Sequence, residues 1–238
     1  MFYVFIGREQ LLEFLPKGGV VAEIGVAKGD FSQTILDVVK PERLHLIDPW
    51  EFQDREDYSK DGNNVSNEEQ EDRYQSVTNR FKDEISTGRV VMHRSYSSDA
   101  AKHFVNRSLD WVYIDGIHTY DGVTADLEDF APKVTKDGFI LGHDFTNHKE
   151  ARFMEFGVVK AVNDFVRKRG YGFTALTAEA FPTFVLSQNA KGQQTELLSG
   201  KLVYNVPRIV EIRDELVREF EHESVHFGKK DVRVFAKF

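Results

Sequence analysis

Four residues draw attention by type and spacing. The apolar run Trp111, Val112, Tyr113, Ile114 halts at Asp115, and His118 follows three residues on; later, "GFIL" gives way to His143 and Asp144. An imidazole titrates at about pH 6.5, so a His beside a carboxylate at a strand end can move a proton near neutrality. Two carboxylates on neighbouring strand ends can also share one divalent ion. The competing reading is an ordinary strand end whose polar residues cap the next helix. The four residues alone do not choose between these.

The elements that would carry them alternate regularly. "VVAEIG" (20–25), "RLHLID" (43–48), "RVVMHR" (89–94), "DWVYID" (110–115) and "DGFILGHD" (137–144) read as short strands. "DFSQTILDVVK" (30–40) sets Phe31, Ile35, Val38 and Val39 at helical spacing before Pro41. Tyr74, Val77, Phe81 and Ile85 mark another helix, which Ser66 or Asn67 would cap. "DAAKHF" (99–104), "TADLEDFAPKV" (124–134) and "GVVKAVNDFVRKRG" (157–170), closed by Gly170, complete the helices. "GFTALTAE" and "FPTFVLSQ" then form an antiparallel edge pair. The pattern predicts one α/β domain over residues 1–238, a doubly wound, mostly parallel sheet with helices on both faces.

Two segments stand outside the alternation. The acidic stretch "EFQDREDYSKDGNNVSNEEQEDR" (51–73) is a solvated loop or a lid over the ligand. Within a C-terminal extension (190–238), residues 207–227 read as a helix with Ile209, Ile212, Leu216 and Phe220 on one stripe. That stripe packs on the domain or forms a homodimer contact.

Composition removes several classes. Without cysteine there are no disulfides, thiolate metal sites or cysteine nucleophiles. A net charge of −8 argues against a binder of phosphate backbones, so no nucleic-acid partner is expected. No apolar run approaches the length that spans a bilayer, and "MFYVFIGREQ" has neither a basic start nor a cleavage site. The expectation is a cytoplasmic protein without a membrane partner.

In such a sheet a ligand sits at the carboxyl ends of the strands, and five of five end polar here. The first loop, "EIGVAKGD", chooses the ligand. A dinucleotide loop wants G-x-G-x-x-G, but Ala27 stands at its second glycine and Asp30 would repel a pyrophosphate at the helix start. A nicotinamide oxidoreductase is disfavoured on that ground, while a non-catalytic nucleoside-binding module stays open. Glu23 at the strand end suits an ammonium group, with Gly25 and Gly29 allowing close backbone approach. Asp48, ending the second strand, suits ribose hydroxyls. An adenosine with an amino-acid tail satisfies both acids, which describes S-adenosylmethionine.

The segments "AEIGVAKGDFS", "LHLIDPW" and "DWVYIDGIHTYDGVTADLEDFAPKVTKDGFILGHDF", followed by "GVVKAVNDF", resemble class I S-adenosylmethionine-dependent methyltransferases over roughly residues 18–187. They are most similar to a small bacterial group with an "IDGxHxY…GHD" core, related to macrolide-sugar and catechol O-methyltransferases. The resemblance implies a Rossmann-like sheet of seven strands with an antiparallel final strand. It implies Glu23, Gly25, Gly29 and Asp115 around the methionine part, Asp48 on the ribose, and Ser97 beside the adenine, with Trp50 placed to stack on it. It further implies O-methylation of a small-molecule acceptor, a sugar or natural product, with His118 as general base.

In the catechol type the places of Asp115 and Asp144 hold magnesium, but the third ligand, an Asn, is replaced here by Phe145. His143 is the available substitute, and imidazole suits manganese, iron or zinc better than magnesium. Metal dependence is therefore left open. Tyr120 and Asp121 read as the start of a helix, and His148, His222 and His226 as surface residues.

Overall fold

The computed structural model describes residues 1–213, 217, 219–227 and 231–238. Its main sheet has nine strands: β1 (Phe2–Val4), β2 (Val20–Ile24), β3 (Arg43–Asp48), β4 (Val90–Arg94), β5 (Leu109–Ile114), β6 (Val134–Gly142), β7 (Gly172–Thr177), β8 (Phe184–Ser187) and β9 (Ile209–Glu211). Their order is β4-β3-β2-β5-β6-β8-β7-β1-β9. Seven of them, β2 to β8, are the expected sheet, parallel except for β8, which runs antiparallel to both β6 and β7.

The pair β7–β8 is not an edge. β1 adds in parallel to β7 and β9 adds antiparallel to β1, so both ends of the chain extend the sheet by three residues each. A separate hairpin joins β10 (Glu221–Phe227) to β11 (Asp231–Lys237).

The helices are α1 (Arg8–Leu11), α2 (Asp30–Val38), α3 (Asn67–Arg80), α4 (Lys82–Ser86), α5 (Ser97–Ala100), α6 (Tyr120–Phe130), α7 (Lys149–Phe153), α8 (Val158–Arg169) and α9 (Gln193–Asn205). Ser66 caps α3 by accepting from the Glu69 amide, and Gly170 ends α8 in the left-handed region. The helix expected over 207–227 is not formed: strands occupy its first and last thirds, and the extension's helix is α9. Leu216 lies outside the described residues.

Side chains alternate across each strand, so β5 feeds two cores at once. Trp111 and Tyr113 pack with Ile35, Leu11, Leu12 and Leu198 on one face. Val112 and Ile114 pack with Val123, Leu127, Phe130 and Phe165 on the other. Being covered on both faces is why these strands read as continuous apolar runs. The strand order reverses between β2 and β5, and this puts Glu23, Asp48 and Asp115 around one crevice.

Candidate active site

A cavity of about 500 Å³ opens at that crevice. Glu23, Gly25, Asp48, Ser97 and Asp115 all line it, together with Gln53, Arg55, Tyr58, Asn63, Gln70 and Arg73 from the acidic stretch and the start of α3. The insertion is thus a wall of the cavity and not a detached solvated loop.

Gly25 has φ +86, and a Cβ there would meet the Asp115 carbonyl at 1.9 Å. Only glycine lets the first loop turn this close to the neighbouring strand. Gly29 has a different task. It caps α2 at φ +74 and faces Val77 and Phe81, outside the cavity, so its expected contact with the ligand is corrected to a packing role.

Glu23 is buried and receives one hydrogen bond, from the Ser32 hydroxyl at 2.5 Å. Burial pushes its carboxyl up to about 8, with Asp115 and Asp48 adding to the effect and Ser32 and Arg8 opposing it. Asp48 accepts from the amides of Val26 and Ala27 at 3.0 Å each and of Trp50 at 2.7 Å. A carboxylate has roughly four acceptor positions, so about one remains for a ligand hydroxyl. Burial raises Asp48, against those three amides.

Trp50 corrects the expectation of adenine stacking. It is 1% exposed, bonds the Ala27 carbonyl through Nε1 and packs on Tyr74 inside the core. Where the adenine is expected, Ser97 donates to Asp126 at 2.5 Å. Asp126 is buried in α6 and lines the cavity; burial pushes it up to about 7, with Ser97 opposing. Its place within an amphipathic helix gave no signal of this.

Beyond Asp115 lies a compact polar cluster. His118 Nε2 is 2.8 Å from Asp144 Oδ2 and 3.6 Å from Asp115 Oδ1; His143 Nδ1 is 3.2 Å from Asp144 Oδ1 and 3.7 Å from Asp115 Oδ1. One ligand atom each from Asp115, His118 and Asp144 falls within 4.8 Å of the others. Asp144 adopts φ +59, a left-handed conformation that Asp tolerates better than most residues, and it is held there at the end of β6. Phe145 turns away into the core against Phe173, Phe184 and Phe220.

Two residues without a sequence signal complete the cluster. Asp61, from the acidic stretch, sets Oδ2 3.3 Å from His118 Nδ1. Arg8, at the start of α1, donates to Asp115 Oδ2 at 2.9 Å. Asp115 therefore divides its oxygens, Oδ2 to Arg8 and Oδ1 towards the histidines. Burial alone would favour a neutral His118, but Asp144, Asp115 and Asp61 outweigh it and hold the proton on the ring. Burial opposes the ionisation of Asp144, yet His118 and His143 pull its carboxyl well below the usual range.

These contacts are close without being aligned: both His118 nitrogens are buried and neither makes a well-directed hydrogen bond. Two carboxylates beside a poorly hydrogen-bonded imidazole form a donor set that suits a divalent cation once the ring gives up its proton. Phe156 and Phe181 stand beside His118 and His143, and the tip of the insertion reaches the neighbouring segment: Lys60 lies on the Phe153 ring and pairs with Glu155 at 3.6 Å.

His148 and His222, expected on the surface, are 4% and 3% exposed; His222 Nδ1 bonds the Thr146 hydroxyl at 2.8 Å, docking the hairpin behind the Asp144 loop. The His226 side chain lies outside the described residues. Tyr120 opens α6 as expected, with its hydroxyl on Asp164.

A family model described as "Methyltransferase domain" matches residues 22–145, more than half the chain, and the protein belongs to this methyltransferase family. Solved structures share its fold. An O-methyltransferase family protein from Burkholderia thailandensis aligns with a TM-score of 0.53 at 11% identity, over 76% of this chain and 55% of its own. TrmK from M. capricolum, in complex with S-adenosyl-homocysteine, gives 0.51 at 11%, over 79% and 70%. An rRNA methylase from Streptococcus thermophilus gives 0.50 at 8%, over 75% and 92%. At such identities the likeness is one of fold. No curated protein matches the chain by sequence. Among the described residues, no helix is long and apolar enough to cross a membrane.

Proposed function

We propose that the protein transfers the methyl group of S-adenosylmethionine to a hydroxyl of a small molecule, with the Asp115–His118–Asp144 cluster as the reacting end. The observation that carries this reading is the continuity of the site. A cavity lined by Glu23, Asp48 and Ser97 ends at Asp115, and the proton-handling cluster begins there. When bound, S-adenosylmethionine supplies an electrophilic methyl on a sulfonium.

The chain's own groups do the rest. Glu23 receives the ammonium of the tail, Asp48 a ribose hydroxyl, and Ser97 with Asp126 the adenine edge. Asp115 and Asp144, with His143 as the third donor, would hold a divalent cation, whose chemistry is to acidify the acceptor hydroxyl. His118, outside that coordination and facing Asp61 through Nδ1, would shed its proton to solvent beside the cation and then take the acceptor's at Nε2. Phe156 and Phe181 favour an acceptor with an apolar or aromatic body. The net charge of −8 speaks against RNA, the substrate for which the rRNA methylase from Streptococcus thermophilus is named.

The test pairs turnover with binding. After EDTA treatment, the protein is offered S-adenosylmethionine and a panel of phenols and sugars, with and without added manganese, and S-adenosylhomocysteine formation is followed. The reading expects turnover restored by the metal. It expects His118→Ala and Asp144→Asn to lose turnover while keeping S-adenosylhomocysteine affinity within about threefold, because neither side chain lines the cofactor cavity. Loss of that affinity in either variant, or methylation of RNA alone, contradicts it.

A further inference from the structure

We propose that Arg8 is the receptor for the carboxylate of the cofactor's amino-acid tail, an assignment that rests on the S-adenosyl reading above. A zwitterionic tail needs a cation as well as an acid, and the cavity offers Arg8, Lys28, Arg55 and Arg73. Three of these are ill placed. Arg55 pairs with Asp57 and lies near Tyr96 and Asp121, towards the adenine end. Arg73 is buried against Glu69 and Asn63 and acts on Asp48, at the ribose. Lys28 is solvent-exposed on the first loop and makes no contact with Glu23 or Asp115.

Arg8 alone stands at the methionine end. Its charge reaches Glu23, the residue assigned to the ammonium, and its guanidinium bonds Asp115 beside the reacting cluster. Its guanidinium carbon lies over the Phe31 ring, 4.6 Å from the centroid, which restrains the side chain there. A guanidinium carries five N–H donors; Asp115 takes one on Nη1 and the Tyr113 hydroxyl engages another, which leaves up to three. The side chain keeps 30% exposure, so donors remain open to the cavity. With Glu23 it forms a matched pair, acid for ammonium and fork for carboxylate.

The position is built and not incidental. β1 pairs with β7, and Leu11, Leu12 and Leu15 are buried in the core, so the segment that carries Arg8 is clamped on both sides of it. Without Arg8, a cavity lined by Glu23, Asp48 and Asp115 would take any adenosine bearing an amine. With it, the carboxylate is read as well.

The test uses calorimetry and two probes, S-adenosylhomocysteine and S-adenosyl-3-thiopropylamine, which lacks only the carboxylate. A hydrogen-bonded charge pair of this type predicts that the unaltered chain prefers the first probe by about tenfold to a hundredfold. In Arg8→Gln the preference falls to about twofold or less, while Arg8→Lys, which keeps the charge but loses the fork, lies between. Thermal melting of each variant separates misfolding from lost recognition, since both probes would then fail together. If S-adenosylhomocysteine binds and its preference survives in Arg8→Gln, Arg8 is not the receptor. If S-adenosylhomocysteine does not bind the unaltered chain at all, the S-adenosyl reading falls first and this assignment with it.

Discussion

Replacing Glu23 with Gln should make the free protein more stable at alkaline pH while weakening its grip on the cofactor. Glu23 is fully buried with one hydroxyl for company, and burial lifts its carboxyl from 4.5 to about 8. A folded-state value above the unfolded one means that the native state holds the proton more tightly. Stability is then fully present below about pH 4.5 and is lost as pH rises towards 8. At about 1.36 kcal/mol per pKa unit the loss is at most about 5 kcal/mol. In a domain of this size each kcal/mol moves Tm by about 2–4 °C, so the difference reaches about 10 °C or more.

Differential scanning fluorimetry of both proteins from pH 5 to 9 measures it, because every other titrating group is shared and cancels in the difference. The Tm gap between Glu23→Gln and the parent should open between pH 5 and 8 and then level off. Parallel curves across the whole range would refute the reasoning. Binding should show the mirror image: the ionised carboxylate pairs with the ammonium, so S-adenosylhomocysteine affinity of the parent rises towards pH 8 and that of Glu23→Gln stays flat.

Two further outcomes test the corrected and the unanticipated residues. Trp50→Leu should lower stability by about 2–4 kcal/mol through the lost buried ring and its bond to Ala27, yet leave S-adenosylhomocysteine affinity within about threefold; a tenfold loss in calorimetry would restore the adenine role. Asp61→Asn should reduce kcat by about tenfold to a hundredfold with cofactor affinity unchanged, as expected when the group that orients a catalytic imidazole is neutralised; steady-state kinetics with an unchanged kcat would remove Asp61 from the site.

Much of this architecture was legible because the central strands are buried on both faces and so announce themselves as apolar runs with polar ends. Asp115, His118, His143 and Asp144 were readable for the same reason: two such ends lie side by side. β1 and β9 were not, since three-residue strands carry no periodicity of their own. The stripe Ile209, Ile212, Phe220 imitated a helix although the chain there is extended at both ends. Trp50 was misplaced because its φ of +43 turns the indole away from the cavity, a reversal that no side-chain pattern encodes. Asp61 was one acid among many in 51–73, and Arg8 meets its partner 107 residues away.

The latch formed by Lys60 on Phe153 and Glu155 has a kinetic consequence. The wall of the cofactor cavity and the cover of the reacting cluster are the same stretch of chain. If S-adenosylmethionine and an acceptor occupy the places proposed for them, a tip that shuts over both favours entry of the cofactor first, against Asp48 and Glu23, and of the acceptor second. Because Lys60–Glu155 is a single exposed pair at 3.6 Å, it holds the tip only weakly, and raising the ionic strength should loosen the closed tip without altering the chemistry beneath it.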